Sequence, residues 1–240
     1  MSIKQEKRNY GIDHKLKAKS DDPLYHIHEY GVDLKSNHIY LMGVEDYGPT
    51  LEGFEPGIEY IIANKFIKNF NLCMRVNPEV SIVIHMKTNG GFWEEGMAIY
   101  DTIRSCPWPV TILNYTHARS MSSIIFQAAN KRMMMPNSSF MFHDGTFEIG
   151  GTVKQVKSAV KFSEVADKTM LDIYAKVMDE HGEFKGQGTD KIKKWLRTQM
   201  DKKEDVYLTA EEAVNYGLAD EVFDYNWANL TNYTDKQLKR

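Results

Sequence analysis

The 240-residue chain sets 30 Lys and Arg against 33 Asp and Glu, a net charge of −3, and so supplies no basic field for a nucleic-acid backbone. Its 42% hydrophobic content can bury the core of one large domain, and two cysteines in apolar stretches, Cys73 and Cys106, predict neither a disulfide framework nor a zinc site. The opening stretch MSIKQEKRNYGIDHKLKAKSDD lacks the apolar centre of a secretory signal, and no run of about 18 apolar residues follows, so the expectation is a cytoplasmic protein with no membrane partner.

Residues 1–35 are polar with weak periodicity and read as an N-terminal arm or loop region. Within it, His26 and His28 alternate in YHIHEY as they would on a surface strand, with no third ligand to suggest a metal. HIYLMG (His38–Gly43) predicts a strand, and Ile58, Ile61, Ile62, Phe66, Phe70 and Met74 recur at helical spacing until Asn77-Pro78 stops them. SIVIHM (Ser81–Met86) is a buried strand, TNGG (Thr88–Gly91) a turn, and Met97, Tyr100 and Ile103 mark a helix that ends before Pro107. PVTILNY (Pro109–Tyr115) is the next strand, Ser120–Asn130 suits a helix, and RMMMP and SFMFH suit short strands.

GTFEIGGT (Gly145–Thr152) reads as a glycine-hinged ribbon, and Val153, Val156, Val160, Val165, Ile173 and Val177 lie in a helical stretch running to about Glu180. That is long for one surface helix, and its apolar residues need covering. A helix over Thr189–Met200, a strand at DVYLT, a helix at AEEAVNYG, a strand at ADEVF and a polar tail over 225–240 complete the chain. Alternating strands and helices predict an α/β protein with parallel strands and no linker between two cores.

The stretch Ala118-Arg119-Ser120-Met121-Ser122 has the small-x-Ser-x-small form of a tight strand-to-helix turn, where a serine nucleophile can be reached by substrate. The plain alternative is that Ser120 only caps a helix, and on this stretch alone the cap is the commoner outcome. TNGG adds a second loop after a buried strand, able to turn backbone N–H groups into a cleft, although a strand-helix turn accounts for it as well. His143 ends a strand and precedes Asp144-Gly145, so its ring can stand at the edge of the same cleft.

Taken together, TNGG-x4-GMAIYDTI (Thr88–Ile103), the ARSM serine turn, PNSSFMFHDG (Pro136–Gly145) and LTAEEAVNYGLADEVF (Leu208–Phe223) resemble the proteolytic subunits of the Clp protease in order and spacing from about His38 to Phe223. The resemblance implies a spiral of ββα units with a protruding helix-strand handle at 145–180, within a serine peptidase domain at 36–224. It implies Ser120 as nucleophile, His143 as general base and Asp201, in MDKKEDVYLT, as the third member of a Ser-His-Asp triad. Asp144 and Asp205 are competitors for that third role on residue type alone. The backbone N–H groups of Gly91 and Met121 would be the oxyanion donors.

The same resemblance implies cleavage of unfolded polypeptides inside a homo-oligomer of stacked heptameric rings, fed by an AAA+ Clp ATPase. No nucleotide loop occurs in the sequence, so ATP would be used by that partner only, and the resemblance implies no cofactor or metal in this chain. The sequence departs from the family pattern at Arg119 and Ser122, where the serine turn usually has small residues, at T-N-G-G in place of S-P-G-G, and in its first 35 residues. Two other readings share parts of the pattern: a catalytically silent ring subunit, and an acyl-CoA enzyme of the crotonase type, which would use the glycine loop but has no need of the triad.

Overall fold

The computed structural model describes residues 26–42, 57–146 and 148–239. The expectations for residues 1–25 lie outside the described residues. His26 and His28 lie on one π-helical turn, His26–Tyr30, and not on the strand their alternation predicts.

Among the described residues eight strands form one sheet: β1 (Val32–Asp33), β2 (His38–Met42), β3 (Ile82–Thr88), β4 (Val110–Arg119), β5 (Lys131–Met134), β6 (Ser139–Phe142), β7 (Val206–Thr209) and β8 (Glu221–Val222). The main path runs β1-β2-β3-β4-β5-β8, with β2 through β5 and β8 parallel and β1 antiparallel on the edge. β4 is the branch point. Its first half pairs with β5 over Thr111–Asn114, while His117–Arg119 pairs with β6, which carries β7 antiparallel on its far side. This divergence opens the sheet at the end of β4, where the serine turn follows.

The helices are α1 (Tyr60–Val76), α2 (Trp93–Arg104), α3 (Met121–Phe126), α4 (Val153–Glu180), α5 (Thr189–Lys203), α6 (Ala210–Asn215) and α7 (Asp235–Leu238). The main core lies between one sheet face, with Ile39, Ile84 and Ile112, and the helices, which contribute Phe66, Ile99, Phe126 and Tyr174. The opposite face carries a small cluster of Val83, Leu113, Met133, Phe223 and Leu230. β3 and β4 are thus covered on both sides, which is why SIVIHM is apolar without alternation.

Residues expected as a polar tail are anchored on that second face. Leu230 is buried, Thr111 Oγ1 donates to its carbonyl, and the Lys131 ammonium donates to the carbonyls of Asn229 and Asn232. The helix expected over Ser120–Asn130 is only the six residues of α3, because the chain must turn at once to start β5; Asn130 Oδ1 accepts from Val110 N at that turn.

The long helix runs over Val153–Glu180 as its apolar spacing predicts, opened by a capping box between Thr152 and Gln155. Its 28 residues span about 42 Å. Burial begins only at Met170; Val153, Val160, Phe162 and Val165 in the first half are exposed. The ribbon expected before it is not a strand among the described residues of 145–152.

Candidate active site

Ser120 occupies the single residue between the end of β4 and the start of α3. Its φ of 50° and ψ of −127° lie in a region that non-glycine residues avoid, a strain of about 1–3 kcal/mol that the surroundings must hold. They do so from three sides. Ser120 N donates to Met141 O of β6 at 3.1 Å, and its carbonyl accepts from both Ser123 N (3.0 Å) and Ser123 Oγ (2.6 Å). The fully buried Tyr174 of α4 donates its hydroxyl to Ser123 Oγ at 2.6 Å, and burial pushes its phenol pKa upward.

The glycine loop closes the third side. Gly90 has φ +111°, and a Cβ there would stand 2.7 Å from Ser120 Cβ and 2.9 Å from Arg119 O, so only glycine fits against the serine turn. Ile58 N donates to Gly90 O and Phe92 N to Ile58 O, a parallel bridge centred on Gly91 that turns the Gly91 N–H away from Ile58. Met121 N opens α3, where no preceding turn supplies it with an acceptor. Gly91 and Met121 both line the cleft that holds Ser120 and His143.

His143 immediately follows β6, and Asp205 immediately precedes β7. These strands are antiparallel, with Phe142 opposite Val206, so the next residue on each side faces the other. His143 Nδ1 lies 3.0 Å from Asp205 Oδ1, and His143 Nε2 lies 2.9 Å from Ser120 Oγ. An ionised carboxylate only accepts, so the Nδ1 hydrogen bond assigns the proton to Nδ1 and leaves Nε2 free to accept from the serine hydroxyl.

The carboxylate at His143 is therefore Asp205, and the assignment of Asp201 to that place is corrected. Asp201 is exposed in the last turn of α5, four residues before the strand edge that faces His143. Asp144, the other competitor, pairs with Arg197 of α5. The signal for Asp205 lay in strand pairing: aligning SFMF against VYLT in antiparallel register puts the residue after one opposite the residue before the other.

The cleft beside this chain of hydrogen bonds has a volume of about 760 Å3. Trp93, Met121, Ile124, Phe162 and Met170 give it apolar walls, and Gly96 of α2 makes room for the Met121 side chain, which a Cβ there would strike. Asp167 of α4 also lines it; burial first, then Asp144 and Glu164, raise its carboxyl pKa. Arg119 is absent from the lining. Its guanidinium lies over the Tyr207 ring, so the departure from a small residue beside the serine leaves the cleft open. Ser122 is fully buried with its hydroxyl lacking a partner.

The arrangement can activate a hydroxyl nucleophile, supply two backbone donors beside it and receive an apolar side chain. A family model described as Clp protease matches residues 54–226. The chain is 33% identical over 174 residues to an ATP-dependent Clp protease proteolytic subunit of Deinococcus radiodurans, covering 72% of this chain and 79% of the relative. It is 29% identical over 167 residues to the ATP-dependent Clp protease proteolytic subunit 3 of Streptomyces coelicolor, covering 69% of this chain and 71% of that one. Subunit 1 of Streptomyces avermitilis is 29% identical over 169 residues, with 70% and 72% covered.

Proposed function

The chain belongs to the Clp protease family, and from that premise we propose that it is a serine endopeptidase acting through Ser120, His143 and Asp205. The observation that carries the reading is the continuous hydrogen-bonded path from Asp205 Oδ1 through His143 to Ser120 Oγ, at 3.0 Å and 2.9 Å, on a strained strand-to-helix turn.

In this mechanism Ser120 Oγ attacks the carbonyl carbon of the scissile peptide while His143 Nε2 takes the hydroxyl proton. The carbonyl oxygen becomes an oxyanion held by the N–H groups of Gly91 and Met121. Its collapse expels the amine, which receives the proton from His143, and leaves an acyl ester on Ser120. Water deprotonated by His143 then cleaves the ester and restores the serine. Asp205 keeps the Nδ1 tautomer and stabilises the imidazolium formed in each half. Every group in this sequence belongs to the chain itself, and we propose that it needs no cofactor.

We extend the proposal to the assembly. The apolar residues Val153, Val160 and Val165 on the first half of α4 are exposed, and packing against other copies would cover them. Stacked heptameric rings enclosing the cleft would restrict cleavage to unfolded polypeptides, delivered by an ATPase partner that alone uses ATP, in the cytoplasm. Among the described residues no helix is long and apolar enough to cross a membrane.

An active-site-directed fluorophosphonate should label Ser120 of the purified protein, and Ser120→Ala should abolish both labelling and peptide hydrolysis with the assembly intact by light scattering. Absence of labelling would identify a silent subunit, and unchanged hydrolysis in Ser120→Ala would remove Ser120 from the chemistry.

A further inference from the structure

Asp205 is an exposed carboxylate in a role that demands a fixed orientation. Its side chain is 43% exposed, against 19% for the His143 side chain. Core packing therefore leaves its rotamer to its hydrogen-bond partners. What holds it comes from the strand beside it. Tyr207 lies two residues on, so it shares the same face, and its hydroxyl donates to Asp205 Oδ2 at 3.3 Å while Oδ1 remains with His143 Nδ1.

Tyr207 is itself half exposed, at 52%, and Arg119 lies over its ring. Across the sheet Arg119 of β4 faces Met141 of β6, and Met141 faces Tyr207 of β7, which puts Arg119 and Tyr207 on one face with Met141 between them. The Arg119 guanidinium carbon is 5.4 Å from the Tyr207 ring centroid, within the range of a cation–π contact, and Arg119 Nη2 also donates to Ser139 Oγ at 3.4 Å. Arg119 Nε is buried without a partner, so part of the guanidinium is out of water, where the attraction to a ring face is stronger.

We propose that Arg119 and Tyr207 are positioning residues that brace Asp205 against His143, an inference that rests on the reading of Ser120, His143 and Asp205 as a catalytic triad. The brace closes a loop: Arg119 leads through the Tyr207 ring, the Tyr207 hydroxyl, Asp205 and His143 to Ser120, the residue that follows Arg119 in the chain. A large cation beside the nucleophile thereby has a use that leaves the cleft clear.

The test compares Tyr207→Phe, Arg119→Leu and Arg119→Lys in the full assembled protein. Tyr207→Phe keeps the ring under Arg119 and removes only the hydroxyl, so kcat should fall about tenfold with KM unchanged within about twofold. Arg119→Leu should give a loss of similar kind, and Arg119→Lys, which keeps a cation over the ring, should recover most of it. Independently of turnover, the downfield proton resonance of His143 Nδ1–H should weaken in Tyr207→Phe and Arg119→Leu and persist in Arg119→Lys. Asp205→Asn and Ser120→Ala serve as references. Hydrolysis retained in Ser120→Ala, or a downfield resonance unaffected by Asp205→Asn, would defeat the triad reading itself. If both references behave as expected while Tyr207→Phe and Arg119→Leu keep kcat within twofold and retain the resonance, the brace is overturned and the triad stands.

Discussion

Phe142 of β6 stands opposite Val206 of β7, and this one pairing fixes which carboxylate meets the histidine, because the register continued by one residue brings His143 to Asp205. Asp205→Asn should preserve the fold but present an amide to Nδ1 and favour the wrong imidazole tautomer. In another serine protease fold the equivalent change lowers kcat about 10⁴-fold, and a loss of at least about 10²-fold is expected here. Asp201→Asn, on the exposed last turn of α5, should keep kcat within about twofold. Steady-state kinetics on a fluorogenic peptide checks both, and the reverse ranking would restore Asp201.

That pairing also marks the limit of what the sequence made legible. Strands and helices with a clear period, such as SIVIHM and the apolar stretch from Val153 to Glu180, follow from local spacing, and the family resemblance adds Ser120 and His143, which sit at ends of such elements. Asp205 does not, because its partner is 62 residues away and only the β6–β7 register joins them. The family resemblance carries the third triad position to Asp201 instead, since likeness in sequence carries no information about which strands pair. The brace on Ser120 from Tyr174 and the contact of Arg119 over the Tyr207 ring are tertiary in the same sense.

Neighbouring serines in α3 should respond in opposite ways. The Ser122 hydroxyl is buried without a partner, whereas Ser123 Oγ joins the Tyr174 hydroxyl to the Ser120 carbonyl. Ser122→Ala removes an unsatisfied group and improves helix propensity, so stability should rise by about 1 kcal/mol. Ser123→Ala strands a buried phenol and should cost about 1–3 kcal/mol, with kcat lowered as the strained turn relaxes. Thermal unfolding of the two variants side by side decides this; equal shifts would mean that neither hydroxyl is placed as described.

The latch between β5 and β8 predicts a large loss from one residue. Arg132 is fully buried, and Asp220 meets it with Oδ1 on Nη2 at 2.6 Å and Oδ2 on Nε at 3.2 Å, while Oδ2 also takes Arg132 N at 2.8 Å. Gln127 supplies a further acceptor to Nη1. Asp220→Ala would leave a buried guanidinium short of its counter-ion and should destabilise by about 3–5 kcal/mol. Glu221→Gln, at the 39% exposed partner of Lys131, should cost about 1 kcal/mol or less, since Lys131 keeps the carbonyls of Asn229 and Asn232. Denaturant midpoints for the pair measure the contrast, and comparable small losses would show the Arg132 pair to be dispensable.

Acid should weaken the fold through a histidine remote from the triad. His85 of β3 is 3% exposed, its Nε2 lies 2.8 Å from His38 Nδ1, its Nδ1 lies 3.0 Å from the Tyr115 hydroxyl, and Tyr40 stacks on its ring. Burial first, then the charge of His38, lowers the His85 pKa to about 4, and burial lowers His38 as well, against the opposing pull of Asp33. In the unfolded chain a histidine titrates near 6.5, so between these values the unfolded state binds the proton and the native state does not. The contribution is therefore fully present above about pH 6.5 and is lost as pH falls toward about 4, a change of about 3 kcal/mol. Protonating both rings would also break the contact between His38 and His85, since neither nitrogen could then accept. His85→Gln should remove this component, so the difference in unfolding free energy between wild type and variant should vary by about 3 kcal/mol across that window and stay level above it. Parallel stability curves for the two proteins from pH 7 to pH 4 would show that His85 takes up its proton as easily in the native sheet as in the unfolded chain.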